Sequence, residues 1–281
     1  MRLHPIEWAN SPLGDQPEIA IKALQEGLTV DLIATKRANF ATCVAKESLA
    51  AVVARNRLTS FDFLPVLEAT SSRIVGLIEI APFMQGDVPD ELVETKMHPL
   101  SEENLLGSNA TILTFVRDAD SQKCRLIVSG HEINGLVSLS DLQRLPVRAA
   151  LFGLVTYLEI NMTNVIRGKF NADSEGWLIK LPESRQRKLK EQIAASQKHD
   201  GLVEALLFTQ FVDKAIIIFK SGHFLTEEDI FNCEYKKIQS LRDHLAHAND
   251  YATSPETAAE TCRTVRLIDD WNGKLLRLPS V

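Results

Sequence analysis

The stretch GLVSLSD at residues 135–141 predicts a β-strand that leads into the start of a helix. It alternates apolar and small residues as a β-strand does, and it ends on the hydroxyl of Ser138. Asp141 follows three residues later, at the start of a predicted helix. A Ser hydroxyl beside the free amides of a helix N-terminus forms an anion site, and a carboxylate one turn along can accept both hydroxyls of a ribose. The same spacing is also typical of a capping box, which is purely structural.

The stretch belongs to a unit that occurs twice. Two predicted strands at 63–68 and 74–80 flank one polar turn, and two more at 125–128 and 133–138 flank another. Gly76 and Gly135 fall at the same place in each unit, and two such units can bury a core that one could not. Where the second unit has Ser138 and Asp141, the first has Glu79 and Pro82. A glutamate there repels phosphate, so we expect at most one nucleotide site.

The heptad and the twofold repeat resemble CBS domains, which are named after cystathionine β-synthase. The family's nucleotide motif, G-h-x-[T/S]-x-x-D, is matched at Gly135, Ser138 and Asp141. The resemblance implies that an adenine nucleotide (AMP, ADP, ATP or a related compound) binds at these residues as a regulatory ligand.

The second half of the chain has the apolar spacing of helices. Helices are predicted at 146–167, 183–198, 202–219, 226–249 and 255–271, and their short links are typical of a bundle. The sequence therefore predicts an α+β protein, with tandem α/β repeats over residues 1–145 and an all-α helical bundle over residues 146–281.

The long helix at 226–249 carries a second candidate site. Its core stripe consists of Phe231, Tyr235, Ile238, Leu241 and Leu245. At about 100° per residue, His247 lies roughly opposite Ile238 on the polar face, and Arg242 lies about 40° from the centre of the stripe. We therefore expect Arg242 to emerge beside a groove and His247 to lie outside the core.

This helix resembles the HEPN signature R-x(4–6)-H with a polar residue after the Arg, matched at Arg242, Asp243 and His247. The resemblance implies a metal-independent endoribonuclease, in which the His transfers a proton and the Arg stabilises the phosphorane. One His is too few for two proton transfers, so a homodimer with a composite site is implied. Asp243 would orient the Arg or the His, and His244 would be a helper. Asp243 stands where the family often has Asn, and its negative charge would weaken the positive field that RNA binding needs.

Composition and charge bound these hypotheses. The net charge is −6 and is carried by residues 1–145, because residues 146–281 hold 18 basic and 18 acidic residues. Neither half is strongly basic, which counts against tight nucleic-acid binding. The basic run from Lys180 to Lys198 is either a solvated helix face or an RNA track. Four scattered cysteines, no secretory leader and no long apolar run predict a soluble, cytoplasmic protein without membrane contact. The histidines show no metal-ligand spacing.

Three functions stay open. The first is a nucleotide-regulated endoribonuclease with RNA as substrate, suited to stress response, toxin–antitoxin systems or defence. The second is a non-catalytic adenine-nucleotide sensor whose bundle serves dimerisation or partner binding. The third is a partner of a nucleotidyltransferase, with the histidine region as its modification target.

Overall fold

A computed structural model describes residues 17–170, 174–197, 204–224 and 226–277. The chain divides into an α/β unit, residues 28–147, and a helical unit formed by residues up to Gly27 and from Arg148 onward. The helical unit includes α1 (Pro17–Gly27), which the sequence analysis assigned to the first domain. Leu24 of this helix lies so close to Gly153 that a Cβ at Gly153 would come within 3.0 Å of it.

The α/β unit contains two repeats, each built from a strand, a helix and a hairpin. Its elements are β1 (Thr35–Lys36), β2 (Cys43–Val44), α2 (Leu49–Asn56), β3 (Phe63–Leu67), β4 (Ile74–Glu79), β5 (His98–Pro99), β6 (Leu105–Gly107), α3 (Ile112–Val116), β7 (Cys124–Ser129) and β8 (Glu132–Ser138). In each repeat the first strand runs parallel to the second, and the second pairs with the third in an antiparallel hairpin. Both predicted hairpins are confirmed, and each has a register shift at the matching place.

The short strand that precedes each repeat joins the sheet of the other repeat. The sheet orders are β1-β8-β7-β6 and β2-β3-β4-β5. Lys36 of β1 is opposite Gly135, and Pro99 of β5 is opposite Gly76. A Cβ at Gly76 would lie 2.6 Å from the carbonyl oxygen of His98, and one at Gly135 would lie 3.1 Å from that of Thr35. The glycines therefore recur because the crossing strand approaches the backbone closely at both places.

The two sheets bury apolar side chains against each other. Ile74 and Leu77 of β4 form one cluster with Leu126 of β7 and Leu136 of β8. Each repeat alone would expose this face, so the pair is the unit that burial stabilises.

The helical unit consists of α1 and of the helices after the α/β unit. These are α4 (Leu145–Phe170), α5 (Ser174–Leu178), α6 (Glu183–Gln197), α7 (Phe211–Lys220), α8 (Glu228–Ala246) and α9 (Pro255–Leu276). Its core includes the apolar face of α4 and a ring cluster in which Phe231 stacks on Phe219 and on Trp271. The buried Asn161 and Asn272 satisfy each other through a 2.8 Å hydrogen bond.

The prediction of one continuous helix over 202–219 is wrong. A 3₁₀ turn at Ala205–Phe208 comes first, and α7 begins only at Phe211. Asp213 sets this start, since it accepts the Gln210 N–H at 2.7 Å and pairs with Arg185 at 2.6 Å. Residues 202 and 203 lie outside the described residues, and α5 was not predicted.

By length and composition alone, α4 could cross a membrane. However, 56% of its most apolar stretch is buried inside the protein. A core helix of a globular domain has the same properties, so this helix does not by itself indicate a membrane span.

Candidate functional site

Ser138 and Asp141 meet at the C-terminal end of β8. The Ser138 N–H donates to Oδ2 of Asp141 at 2.7 Å, and the Ser138 hydroxyl lies 3.3 Å from the same oxygen. Asp141 lies in a 3₁₀ turn, Leu139–Gln143, and is only 6% exposed. Ser138 and Asp141 therefore form a capping box, which the sequence analysis gave as the purely structural alternative. The hydroxyl oxygens of Ser138 and Ser140 lie 2.8 Å apart.

Arg144 occupies the other oxygen of this carboxylate. Its Nε donates to Oδ1 of Asp141 at 2.6 Å, and its Nη2 lies 3.3 Å from the Thr35 hydroxyl. Burial raises the pKa of Asp141 above its ordinary value, although the hydrogen bonds from Ser138 and the charge of Arg144 oppose this shift. Sequence analysis missed both Arg144 and Thr35, because Thr35 arrives only through the crossing of β1.

The first repeat has different chemistry at the same place. Glu79 ends β4 and pairs with Lys123 at 3.4 Å, and Pro82 lies in a 3₁₀ turn, Ala81–Phe83. A carboxylate therefore stands where the second repeat offers a hydroxyl.

Arg242 is held by two carboxylates. Its Nε lies 3.3 Å from Oε1 of Glu159 on α4, and its Nη1 lies 3.2 Å from Oδ1 of Asp243. Glu159 also pairs with Lys214 at 3.6 Å. The Arg242 side chain is 38% exposed, so it emerges at the border of the core as predicted. Asp243 lies beside the Arg, and the acidic partner Glu159 was not foreseen, since it is 83 residues away in the chain.

His247 does not lie within α8, which corrects the prediction of a helix to Asn249. The helix ends at Ala246, His247 is the C-cap residue and is exposed, and Ala248 has a φ of 55°. Arg148 of α4 donates to the carbonyls of His244 at 3.1 Å and Asn249 at 2.7 Å. These bonds satisfy the carbonyls at the helix end, where a helix leaves them without an internal partner.

Arg242 therefore lies within α8, whereas His247 follows the last helical residue, so the helical spacing used to relate the two side chains ends before His247. Their predicted catalytic roles remain proposals.

His244 lines a cavity in the helical unit. The cavity, of about 590 Å³, lies between α8 and α9 and is also lined by Lys236, Lys237, Tyr251 and Thr257. Nδ1 of His244 lies 2.6 Å from the Ser240 carbonyl. Because a carbonyl only accepts, Nδ1 carries a hydrogen, and Nε2 is the acceptor in the neutral ring.

The basic run is only partly a surface track. Arg185 is tied to Asp213 by hydrogen bonds of 2.6 and 2.9 Å and is largely buried. Lys180, Lys188 and Lys190 fall in the exposed or partly exposed part of the same region, and Lys198 lies outside the described residues. Within the described ranges, no group of three or more His, Cys, Asp or Glu side chains could hold a metal ion.

No protein-family model matches the chain, and no curated protein matches it significantly. Solved structures of CBS domains are similar to it. They include the CBS domain of the bacterial CNNM/CorC family Mg²⁺ transporter in complex with ATP, with 18% identity over 48% of this chain and 97% of that one, and a TM-score of 0.39. The CBS domains of a transcriptional regulator from Streptococcus pneumoniae are 14% identical over 41% and 96% of the two chains, with a TM-score of 0.34. CBSX2 in complex with AMP is 15% identical over 42% and 95%, with a TM-score of 0.35.

Similarity at this level does not assign a ligand or an activity to this chain. The strand and helix order of the α/β unit, repeated twice with an exchanged leading strand, fits a CBS pair. The described residues that follow the α/β unit form a C-terminal helical region.

Proposed function

We propose that the α/β unit senses one adenine nucleotide at the C-terminal end of β8, and that the helical unit passes this signal to a partner without catalysis. The observation that carries the proposal is the convergence of a hydroxyl, a carboxylate and a guanidinium, from Ser138, Asp141 and Arg144. These are the groups that a ribose and a phosphate require together.

Each group has a distinct task. The Asp141 carboxylate accepts hydrogen bonds from the ribose hydroxyls, and such charge-assisted bonds are stronger than neutral ones. Arg144 leaves Oδ1 of Asp141 and turns to the phosphate, which the Ser138 and Ser140 hydroxyls also bind. Ligand binding therefore exchanges one ion pair for another. The first repeat binds no nucleotide because Glu79 repels the phosphate.

The experiment is calorimetric titration of the full chain with AMP, ADP and ATP. We expect one site per chain, and a loss of at least about tenfold in affinity for Asp141→Asn, since a lost hydrogen bond to a charged group costs about 1.5–3 kcal/mol. Asp87→Asn, an exposed carboxylate elsewhere in the same unit, is the matched control. Unchanged affinity in Asp141→Asn, or equal loss in both variants, would contradict the proposal.

The environment of Arg242 supports a non-catalytic helical unit. Glu159 and Asp243 already neutralise its guanidinium. An RNA phosphate would have to compete with both carboxylates for the same donors, and its own charge would be repelled by them.

The endoribonuclease is the second candidate, because Arg242 and His247 both reach the surface instead of being sealed in the core. In this hypothesis a homodimer brings two such pairs to one RNA strand, Asp243 orients the Arg, and the nucleotide regulates cleavage. No metal would be needed.

The test is cleavage of diverse RNAs in EDTA, with and without adenine nucleotides. An active enzyme loses about 10²–10⁴ in rate when His247→Ala removes the proton-transfer group. His223→Ala is a matched control on another segment. Intact RNA in every condition, or the same rate in wild type and His247→Ala, would rule out this candidate and leave the sensor.

A further inference from the structure

A cavity of about 310 Å³ lies between the two repeats, where their hairpin turns meet. Its lining comes from equivalent positions of both repeats. Lys36 pairs with Gly135, and Pro99 pairs with the equivalent Gly76, so Lys36 and Pro99 are equivalent positions. The next residues in the chain, Arg37 and Leu100, are therefore equivalent as well. Arg73 and Glu132 are a second such pair, and both members of each pair line the cavity. The cavity therefore lies on the approximate twofold axis that relates the repeats.

This cavity is separate from the proposed nucleotide site. It is lined by Glu132 and Ile133, at the first end of β8, whereas Ser138 ends that strand. Six residues of extended chain separate the two ends, which corresponds to about 20 Å.

Two arginines, Arg37 and Arg73, line the cavity. Arg37 is fixed in place, since Nη1 donates to the Ile133 carbonyl at 3.1 Å and Nη2 to the Ser72 carbonyl at 2.5 Å. A guanidinium has five N–H donors, so Arg37 keeps donors for a ligand. The Arg73 side chain forms no ion pair with any residue in the described ranges. Glu132 is the one carboxylate of the lining.

The asymmetry between equivalent positions is what points to a ligand. A perfect repeat would place two arginines or two leucines across the axis. Here Arg37 is equivalent to Leu100, and Arg73 is equivalent to Glu132, so the lining holds two guanidinium groups and one carboxylate. Ile74 is buried and Leu100 and Ile133 are half-buried, so the apolar part of the lining offers a ligand little surface. Guanidinium groups bind phosphate and carboxylate through paired hydrogen bonds.

We infer that this axial cavity binds a small anion whose phosphate or carboxylate group meets Arg73 and Arg37. The site does not depend on the nucleotide proposal, because it shares no residue with it.

The experiment is titration of the full chain with inorganic phosphate and with phenyl phosphate, followed by calorimetry. We expect both to bind with similar affinity, because the phosphate group makes the polar contacts and the lining offers the phenyl ring little apolar surface. Arg73→Ala should weaken both by about tenfold, the loss expected for a hydrogen bond to a charged group. Glu132→Gln should strengthen both, because it removes the repelling carboxylate. Arg37 is not substituted, because its hydrogen bonds to the carbonyls of Ser72 and Ile133 also connect the two hairpins.

Two controls separate this site from others. Arg57→Ala removes an exposed arginine that does not line the cavity, and it should not change phosphate binding. Asp141→Asn alters the proposed nucleotide site and shows whether the probe occupies that site instead. The inference is overturned if neither probe binds at about 10 mM, or if Arg57→Ala weakens binding as much as Arg73→Ala. It is also overturned if Asp141→Asn abolishes binding while Arg73→Ala does not, since the anion would then occupy the other site.

Discussion

The two repeats of the α/β unit share a backbone and differ in chemistry. Both have a parallel strand, a helix, a hairpin and a glycine that faces the crossing strand of the other repeat. At the end of its last strand, however, one has Ser138 and Asp141, and the other has Glu79 and Pro82. The close approach of the crossing strand constrains the backbone at both glycines, whereas the side chains at the strand ends are under no such constraint. The two repeats can therefore share their packing while only the second has the hydroxyl and the carboxylate of the proposed nucleotide site.

The largest effect should distinguish the two glycines. Gly76→Ala places a Cβ 2.6 Å from a backbone carbonyl, whereas Gly135→Ala places one at 3.1 Å. In both cases the neighbouring atom belongs to the backbone, which cannot move aside as a side chain can. Because the contact at Gly76 is shorter, we expect the free energy of unfolding to fall by about 3 kcal/mol for Gly76→Ala and by about 1 kcal/mol for Gly135→Ala. Urea unfolding of the two variants measures this. Equal losses would mean that the two crossings are not as different as their distances indicate.

The next effect concerns Arg144, whose counterpart in the first repeat is Gln85. Arg144→Gln releases Oδ1 of Asp141 without providing a cation for phosphate. If the nucleotide proposal holds, adenosine should bind about tenfold more tightly, and the preference for AMP over adenosine should shrink. Calorimetry with the two ligands tests both. If the ratio of the two affinities, AMP over adenosine, is the same in Arg144→Gln as in the wild type, Arg144 does not reach the phosphate.

A smaller effect follows from the ionisation of Asp141. Burial raises its pKa in the folded state. Protonated Asp141 therefore stabilises the folded state fully below the pKa of the carboxyl in the unfolded chain, about 4. This stabilisation is lost as the pH rises through the raised pKa of the folded state. The free energy of unfolding of the wild type should fall relative to that of Asp141→Asn between pH 4 and pH 7. Urea unfolding at several pH values measures the difference, and a constant difference would contradict it.

The smallest effect belongs to the first repeat. Glu79 and Lys123 form a partly exposed pair at 3.4 Å. Pairs of this kind contribute about 0–1 kcal/mol, so Glu79→Gln should change the free energy of unfolding by no more than about 0.5 kcal/mol. A loss above about 2 kcal/mol would indicate that the pair helps hold the two repeats together.

Local patterns predicted the hairpins and the helix faces well. Alternating residues marked β3, β4, β7 and β8, and apolar spacing marked α4, α8 and α9, because each pattern depends on neighbours within a few residues. The break before α7 was missed, since it depends on the contact of Asp213 with Arg185, 28 residues away. The end of α8 was also misplaced, because Arg148 satisfies the carbonyls there from a distant position.

The candidate sites show the same limit more strongly. Ser138 and Asp141 were identified from their spacing, and they do meet. The contacts around them were not foreseen. Arg144 donates to the Asp141 carboxylate, and it also donates to the hydroxyl of Thr35, which is 109 residues away. Arg242 was placed correctly at the border of the core, but its neutralisation by Glu159 was invisible in the sequence.

Residue spacing was enough to predict the repeat, its glycines and the helical periodicity, because each of these patterns lies within a short segment of the chain. The spacing could not show which strand crosses to which sheet, which carboxylate on another helix holds Arg242, or which residues of the two repeats line the axial cavity. These depend on contacts between residues far apart in the chain, and such contacts form only when the core brings their elements together.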